Sequence, residues 1–320
     1  MRSFFRRFAS THADHPPNAA KDAPFSRRDF LLKGISKDDR GLEIAPFFRP
    51  IVSKAEGYGV ETIDVLTTEE LREKLLNDPT LPDHFVDQIE LVDHIGSASE
   101  IKKVIQDECE ESYDYILSSH NFEHLPNPLR FLKDCEELLS VDGQLCMAIP
   151  DLRCCFDRFR MPTELDVWLK SFYENKPEPS PYDRFRAWYK RCNNIDRLEH
   201  GVSDIILHPN PLRTLQTAHA ELCQGLADQN RPYQDCHVSA FTPTSFRLLI
   251  KECNALGLIR LDVVEFAPTV GNEFLVRLKK VMPATPFTSE QRRDLYFEML
   301  AELNSGVASS LSSHSLQAAC

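Results

Sequence analysis

Polar residues stand at the ends of several short apolar runs in this sequence. Asp64 follows the run at residues 59–63, Asp93 follows the run at residues 88–92, and the segment SSHNFEHLP at residues 118–126 ends the run that begins at Tyr113. If these runs are parallel strands, their carboxyl ends meet at one edge of the sheet, where open α/β folds bind ligands. The sequence therefore predicts a polar crevice built from three strand ends.

The side chains of this crevice are suited to nucleotide binding and to acid–base chemistry. A carboxylate such as Asp64 accepts both hydroxyls of a ribose. An Asp at a strand end also commonly begins a loop or caps a helix, and both interpretations stay open. Imidazoles and carboxylates that follow strand ends are candidates for a general base, and here they are His120, His124, Asp151 and Asp157.

Each of the other polar candidates has two interpretations. Glu123 and His124 either take part in chemistry or brace the turn before the next helix. The arginines near residue 155 either clamp an anionic acceptor or form internal salt bridges with neighbouring Asp residues. Two further histidines either line an acceptor pocket or make structural hydrogen bonds. These arginines and histidines are Arg153, Arg158, Arg160, His208 and His237.

The elements that position these residues follow from hydrophobic periodicity. Predicted strands cover residues 42–44, 59–63, 88–92, 113–119 and 143–149, and predicted helices begin near Thr67 and at Pro128. After a helix at 242–256, strands at 258–266 and 273–279 are joined by so short a connection that they must be antiparallel. The predicted fold is α/β, with a doubly wound, Rossmann-like, mainly parallel seven-stranded sheet, an antiparallel C-terminal hairpin and a helical insertion.

The alternation of strands and helices stops after residue 150. A region rich in aromatics, arginine and proline follows, and a loop this long needs structure of its own, so we expect a helical cap whose aromatics mostly form the core of the cap. The predicted plan is a disordered tail at 1–30, a first part of the main domain at 31–155, the insertion or substrate cap at 156–235, a second part at 236–282, and a helix with a disordered end at 283–320.

Composition narrows the class of protein. The formal net charge of -12 disfavours a nucleic-acid partner, and no apolar run is long enough for a membrane span. The ten cysteines include no C-x-x-C pair and no histidine at zinc-ligand spacing, so no metal site is predicted. Cysteines within apolar patterns indicate reduced thiols and a cytoplasmic location. The segment SRRDFL at residues 26–31 looks like an export motif, but charged residues follow it.

Three segments carry a resemblance to a known family. They are GLEIAP at residues 41–46, YDYILSSHNFEHLP at residues 113–126 and VDGQLCMAIPD at residues 141–151. In order and spacing they resemble class I S-adenosylmethionine-dependent methyltransferases, in a branch that reads G-x-E-I-G-P, S-H-x-x-E-H and I-P-D-x-R-x-x-F-D. Residues 149–157 match the last motif, and the resemblance covers roughly residues 40–160 and 236–280.

The resemblance implies S-adenosylmethionine as the cofactor, bound by residues 31–155. It places Glu43 and Ala45 against the methionine part, Asp64 on the ribose and Asp93 beside the adenine. The family prefers glycine where this chain has Ala45, because a side chain keeps the backbone away from the ligand. The implied cofactor-binding residues are Gly41, Glu43, Ala45, Pro46, Asp64, Asp93, Ser119 and His120.

The implied activity is methyl transfer to a small-molecule or saccharide acceptor, by in-line displacement to an oxygen. The protein then mainly aligns donor and acceptor, and His120, His124 or Asp151 would serve as the base for a hydroxyl. Because of Ala45, a catalytically inactive, methyltransferase-like binding protein is an alternative. An NAD(P)-dependent oxidoreductase is a weaker one, since it should show G-x-G-x-x-G and the chain has only one glycine in that turn region.

Overall fold

The computed structural model describes residues 25–106, 112–192, 214–228, 230–281 and 286–312, with side chains as far as residue 304. Within these ranges the strands belong to a single mixed sheet. They are β1 (Arg40–Ile44), β2 (Gly59–Asp64), β3 (His94–Ile95), β4 (Tyr113–Ser119), β5 (Leu139–Pro150), β6 (Leu261–Val270) and β7 (Glu273–Lys280).

The sheet has the order β3-β2-β1-β4-β5-β7-β6. The first five strands are parallel, and β7 runs antiparallel to both β5 and β6. This arrangement confirms the predicted fold class, including the antiparallel C-terminal hairpin. The strand β6 extends further than predicted, so only Gly271 and Asn272 connect it to β7, and Gly271 takes the left-handed φ of 66° that so tight a turn requires.

Helices cover the sheet and form the insertion. None of the helices in the described part of the chain combines the length and the apolar character that crossing a membrane requires. They are α1 (Arg27–Leu31), α2 (Thr68–Leu76), α3 (Ile101–Gln106), α4 (Pro128–Leu138), α5 (Leu165–Tyr173), α6 (Pro181–Tyr189), α7 (Leu215–Ala227), α8 (Pro243–Ala255) and α9 (Ser289–Ser312).

Side-chain caps explain why α2 and α4 begin where the sequence predicts. The hydroxyl of Thr67 accepts the backbone N–H of Glu70, and the Glu70 carboxylate accepts the N–H of Thr67 in return, which forms a capping box. The side chain of Asn127 caps α4, and Pro128 stands at its first turn, where its missing N–H costs nothing. The turn before α4 is therefore capped by Asn127, and neither Glu123 nor His124 does this work.

An aromatic cluster joins the insertion to the main core. Trp168 of α5 is completely buried and packs against Phe122 and Phe241, and its indole N–H donates to the Ser239 hydroxyl at 3.3 Å. Trp168 thus belongs to the core of the main domain, whereas the aromatics of the insertion were predicted to form mostly a core of their own. The contacts of Trp168 hold the region after β5 close to the sheet.

The third strand is displaced from its predicted position. Residues 88–92 were predicted as a strand, but a 3₁₀ helix covers Asp83–Gln88 and the strand is the short β3, His94–Ile95. The reason lies in the backbone groups of Leu91 and Val92. The Thr62 hydroxyl donates to the carbonyl of Leu91 at 2.7 Å, and the Thr68 hydroxyl accepts the N–H of Val92 at 2.9 Å. Side chains therefore satisfy groups that a strand ladder would use.

More helix than predicted is present at both ends of the described part of the chain. Residues 27–30, assigned to a disordered tail, form most of α1, which the hydroxyl of Ser26 caps and which buries Leu31 completely. Residues 305–312, assigned to a disordered end, continue α9. The short α1 is held because Leu31 packs in a cluster with Tyr115 and Ala267 on one face of the sheet. The predicted tail at residues 1–24 lies outside the described residues.

The packing of α1 is testable by truncating its buried residue. Leu31→Ala is expected to lower the free energy of unfolding by about 2–4 kcal/mol, because the lost methyl groups leave a cavity against the sheet. Phe25→Ala is the control, since this residue is 50% exposed and its loss should change stability by less than about 0.5 kcal/mol. Urea denaturation measures both, and equal midpoints for the two variants would contradict the docking of α1.

Candidate functional site

The carboxyl ends of β1 and β4 lie side by side where the strand order reverses. Ile44 of β1 pairs with Ser118 of β4, so Ala45 and Ser119 stand at one level of the sheet edge. The antiparallel β7 begins at the same edge with Glu273. In open α/β sheets a crevice forms at such a reversal and receives the ligand. The structure thus brings together the ends of β1 and β4, which the sequence predicts as parts of one site.

Three residues at this edge have left-handed backbone conformations although none is glycine. The φ angle is 48° at Ala45, 51° at Phe47 and 49° at His120. An L-residue in this region costs about 1–2 kcal/mol, and such strain is concentrated at binding and catalytic sites. The conformation at Ala45 also gives a physical reason why the resembling family has glycine at this position.

Arg27 connects α1 to this edge through one carboxylate. The Nε of Arg27 lies 2.5 Å from Oε1 of Glu273, and its Nη2 donates to the Ser119 hydroxyl at 2.6 Å. The other oxygen of Glu273 lies 2.7 Å from Nε2 of His120. Glu273 therefore ties together α1, the end of β4 and the start of β7, and it holds the imidazole of His120 in one orientation.

The charges of this group reinforce one another. Burial favours a neutral Glu273, but the hydrogen bond from His120 and the charge of Arg27 outweigh it and lower the pKa of Glu273 to about 2. Partial desolvation opposes a charged His120, whose side chain is 38% exposed, yet the hydrogen bond with Glu273 and the nearby carboxylate of Glu123 raise its pKa. His120 is thus an imidazole whose protonated form is stabilised by a carboxylate that stays ionised.

Glu123 lies at the centre of a second group of polar residues. It is 1% exposed, and no described residue donates a hydrogen bond to either of its carboxylate oxygens. Imidazole nitrogens surround it beyond hydrogen-bond distance, at 3.7 Å for Nδ1 of His120, 3.7 Å for Nε2 of His124 and 3.9 Å for Nε2 of His237. We call Glu123, His124, His237, Asp157 and Asp235 the Glu123 cluster.

The two outer carboxylates of the Glu123 cluster orient its histidines. Nδ1 of His124 lies 2.9 Å from Asp235, and Nδ1 of His237 lies 2.6 Å from Asp157. Burial opposes charge on His124, but the hydrogen bond with Asp235 and the nearby carboxylates raise its pKa to about 9. Burial would raise the pKa of Asp157, but the charges of Arg160 and His237 lower it.

Four of the predicted cofactor-binding residues stand at the carboxyl edge of the sheet. Three of them are Ala45, Ser119 and His120, at the ends of β1 and β4. The fourth is Asp64, the last residue of β2, whose Oδ1 accepts the N–H of Leu66 at 3.1 Å and whose pKa is raised by burial. Pro46 follows Ala45 in the loop after β1. The placement keeps open both interpretations of Asp64, since it caps its own turn and also stands beside the crevice.

Glu43 and Gly41 have structural roles inside β1. The Glu43 carboxylate is buried and accepts the N–H groups of Ile51 and Val52 at 2.7 and 3.3 Å, and burial raises its pKa to about 8. It closes the loop after β1 and does not face the crevice with a free oxygen. A Cβ on Gly41 would lie 1.9 Å from the ring of Tyr115, so the glycine is required by packing in mid-strand.

Asp93 does not end a strand, contrary to the prediction, because β3 begins after it. Its Oδ2 accepts the N–H of Thr62 at 2.7 Å and lies 2.6 Å from Nζ of Lys54. Pairing places His94 beside Ile63, so Asp93 stands below the edge. Its side chain is held by the neighbouring strand and by a lysine, and it is not directed at a ligand position by any observed contact.

Asp151 is completely buried and fully engaged. Its carboxylate forms a two-pronged ion pair with Arg153, with Nη2 at 2.6 Å, and accepts the hydroxyl of Thr269 at 2.6 Å. Arg160 is likewise paired with Asp157 at 2.9 Å. For Arg153 and Arg160 the salt-bridge interpretation is therefore the one observed, and Asp151 holds the end of β5 against β6.

Sequence reasoning missed the residues that complete both groups. Arg27 was assigned to the tail, although it belongs to the segment SRRDFL that looked unusual, and Glu273 was noted only as the start of a strand. Asp235 carried no recognisable signal. His237 was identified as a pocket or structural residue, and the structure places it beside Glu123. The remaining candidate, His208, lies outside the described residues.

Comparisons with known proteins give weak likenesses. No family model and no curated protein matches the sequence. The methyltransferase CcbJ from Streptomyces caelestis is 10% identical, with a TM-score of 0.42 over 82% of this chain and 100% of that one. A protein assigned as a Zn-dependent alcohol dehydrogenase from Rhodobacter sphaeroides is 13% identical, with a TM-score of 0.40 over 79% and 88%. The glycopeptide N-methyltransferase MtfA, complexed with S-adenosylhomocysteine, is 13% identical, with a TM-score of 0.38 over 79% and 85%. The fold class therefore rests on the strand order and register.

The low pKa of Glu273 predicts how its contribution to stability depends on pH. A carboxyl group whose pKa falls from 4.5 to about 2 contributes about 3 kcal/mol to folding at neutral pH. The contribution is present above pH 4.5 and is lost as the pH falls towards 2. Glu273→Gln should therefore be less stable than the wild type at pH 7, and the difference should shrink in acid.

Glu56→Gln is the matched control. Glu56 pairs with Arg28, which belongs to α1 like Arg27, but the side chain of Glu56 is largely exposed. An exposed pair contributes about 0–1 kcal/mol. Denaturant unfolding of both variants from pH 7 to pH 3 makes the comparison. A stability difference for Glu273→Gln that does not change with pH would show that the carboxylate is not held as described.

The left-handed backbone at Ala45 predicts that glycine is tolerated or favoured there. Ala45→Gly removes a conformational cost of about 1–2 kcal/mol and adds the backbone entropy of glycine, about 0.5–1 kcal/mol, so stability should stay equal or rise by up to about 1.5 kcal/mol. Ala55→Gly, at an exposed position with ordinary backbone in the 3₁₀ helix Lys54–Glu56, should be destabilising. Thermal unfolding tests the pair, and a marked loss of stability in Ala45→Gly would refute the strain argument.

Proposed function

We propose that the chain is an S-adenosylmethionine-dependent methyltransferase that acts on an oxygen of a small-molecule or saccharide acceptor. The observation that carries this proposal is the crevice where β1 and β4 end side by side. Ala45 and His120 have strained backbone there, and Asp64 ends the neighbouring strand. The motifs that resemble the methyltransferase family fall on these strand ends, and the antiparallel end of the sheet is the one that this family has.

The residues at the carboxyl edge of the sheet fit the cofactor, whereas Glu43 and Asp93, which lie below that edge, fit it less well. In the proposed complex Asp64 accepts the ribose hydroxyls, the turn at Ala45 and Pro46 faces the methionine part, and Ser119 closes the site beside His120. The carboxylates of Glu43 and Asp93 are already used by the backbone of neighbouring segments. Their proposed part is to hold the loop after β1 and the start of β3 in place.

For this reaction the protein has to align the methyl donor with the acceptor and to accept one proton from the acceptor hydroxyl. The bound cofactor would supply a methyl group on a sulfonium, which is already a good leaving group. His120 is the proposed base for the acceptor hydroxyl, since Glu273 orients its ring and stabilises the imidazolium that forms. Arg27 fixes Glu273 from the other side. His124 is less suited than His120 to accept this proton, since Asp235 holds its Nδ1 and its pKa is raised to about 9. The engaged Asp151 has a positioning role.

An inactive, methyltransferase-like binding protein is the second candidate function. The observation that favours it is the methyl group at Ala45, placed in a left-handed turn where the resembling family has glycine. This candidate shares the fold and the crevice but lacks close approach of the backbone to a cofactor. Retained binding of the cofactor would eliminate it.

Calorimetric titration with S-adenosylmethionine and S-adenosylhomocysteine tests the proposal. Wild-type protein should bind both, and Asp64→Asn should bind about 10–100-fold more weakly, because hydrogen bonds to a charged acceptor contribute about 1.5–3 kcal/mol. Glu69→Gln, at an exposed position on α2, is the control and should leave the affinity unchanged. NADH serves as a competing ligand.

Each outcome separates the candidates. Binding that only Asp64→Asn weakens supports the methyltransferase site at the carboxyl edge. A folded wild-type protein that binds neither compound would contradict the methyltransferase and favour the inactive relative. Binding of NADH alone would favour an oxidoreductase instead.

A further inference from the structure

The buried carboxylate of Glu123 lacks the partners that such a group requires. Buried polar side chains are hydrogen-bonded in the great majority of cases, and an ionised carboxylate without donors is costly. Among the described residues no donor reaches either oxygen of Glu123, although the residue is 1% exposed. The groups that approach it are imidazole nitrogens of His124 and His237, at 3.7 and 3.9 Å, and of His120, at 3.7 Å. The spacing leaves room for an atom between them.

The histidines are prepared to offer lone pairs to that atom. In each of them Nδ1 is hydrogen-bonded to a carboxylate, Asp235 for His124 and Asp157 for His237. When Nδ1 carries the proton and donates it, Nε2 is left as an acceptor, and Nε2 is the atom that faces Glu123 in both rings. Metal-ligating histidines have this outer partner, which fixes the tautomer and the ring orientation.

The outer partners are themselves fixed. Arg160 is 2.9 Å from the second oxygen of Asp157, and it also donates to the backbone carbonyls of His237 and Val238 at 2.8 and 3.1 Å. The rings of His124 and His237 meet edge to face, with centroids 4.6 Å apart and planes at 84°. The arrangement is therefore built before any ligand arrives, from segments that are distant in sequence.

We propose that Glu123, His124 and His237 bind a divalent first-row transition-metal ion, with zinc as the reference ion. Their ligand atoms all lie within 4.8 Å of one another. A tetrahedral ion with bonds of about 2.1 Å needs ligand atoms about 3.4 Å apart, and the carboxylate–imidazole distances of 3.7 and 3.9 Å are close to this. Two imidazoles and a carboxylate suit zinc, iron or manganese better than magnesium or calcium, which prefer oxygen ligands.

The charges of the site and the number of its ligands also suit a divalent cation. The Glu123 cluster contains three carboxylates, and Arg160 is the guanidinium paired with one of them, Asp157. Three protein ligands leave a coordination position for water or substrate, as in catalytic zinc sites. Nδ1 of His120 lies 3.7 Å from Glu123, so this position would adjoin the proposed base. No metal site was predicted from the sequence, because spacing along the chain does not reveal ligands that only folding brings together.

The test uses untagged, chelator-treated protein without S-adenosylmethionine, so its result does not depend on the proposed methyl transfer. Zinc affinity is measured by competition with a chromophoric chelator, and cobalt(II) absorbance reports the ligand types. Wild-type protein should bind one equivalent without competition from magnesium. Each substitution of a proposed ligand should lower zinc affinity more than about 100-fold, which exceeds the loss of about 10–100-fold expected when an outer partner is removed. These substitutions are Glu123→Gln, His124→Gln and His237→Gln.

Two further variants keep the test decisive. Asp235→Asn removes an outer partner whose side chain is 35% exposed, so it should fold, and it should lower zinc affinity about 10–100-fold. His219→Gln removes an exposed histidine 3.8 Å from the Cys223 thiol, which is a competing place for zinc, and it should leave the affinity unchanged. Failure of the wild type to bind zinc, loss of binding in His219→Gln, or full affinity in Asp235→Asn would each overturn the proposal.

Discussion

The parallel register between β1 and β4 is the constraint on which the rest of the site depends. It places Ala45 and Ser119 at one level and leaves a crevice at the reversal of strand order. Because side chains alternate between the two faces of a sheet, a slip of one residue would turn every side chain of the strand to the opposite face. The main apolar cluster contains Leu42 and Ile44 of β1, so burial of these side chains fixes the register. The register in turn positions the polar residues at the ends of the strands.

Buried charge is the second feature that organises this edge. Taking ions out of water is costly, so buried carboxylates are expected to have cationic or hydrogen-bonding partners. Asp151 has Arg153, Asp157 has Arg160, and Glu273 has Arg27 together with His120. Against this pattern Glu123 stands apart among the described residues, with three imidazoles near it and none within hydrogen-bonding distance.

The sequence predicted those features that local pattern determines. Strands β1, β2, β4 and β7 and the starts of α2 and α4 follow from periodicity and from caps such as Thr67 and Asn127. The strand β3 was misplaced because hydrogen bonds from Thr62 and Thr68 occupy the backbone before it. The helix α1 was missed because five residues with one buried Leu carry no periodic signal, and its order comes from contacts with a distant part of the sheet.

The candidate site was predictable in part for the same reason. Strand ends at Asp64, Ser119 and His120 were identified because a parallel sheet gathers them at one edge. Arg27, Glu273 and Asp235 were not, since each contributes through a pairing across a long stretch of chain, at 246 residues for Arg27 with Glu273 and 111 for His124 with Asp235. Local spacing contains no information about such contacts, whereas the fold determines them.

The central claim is that ligand binding takes place at the carboxyl edge between β1 and β4. Hydrogen–deuterium exchange with and without S-adenosylhomocysteine tests it most directly, because slowed exchange identifies the backbone that the ligand covers. The account predicts protection confined to residues 43–48, 62–66 and 118–124. A cavity of about 290 Å³ between α8 and α9, lined by Arg247, Lys251 and Glu298, is the competing location. Protection there, with none at the carboxyl edge, would contradict the account.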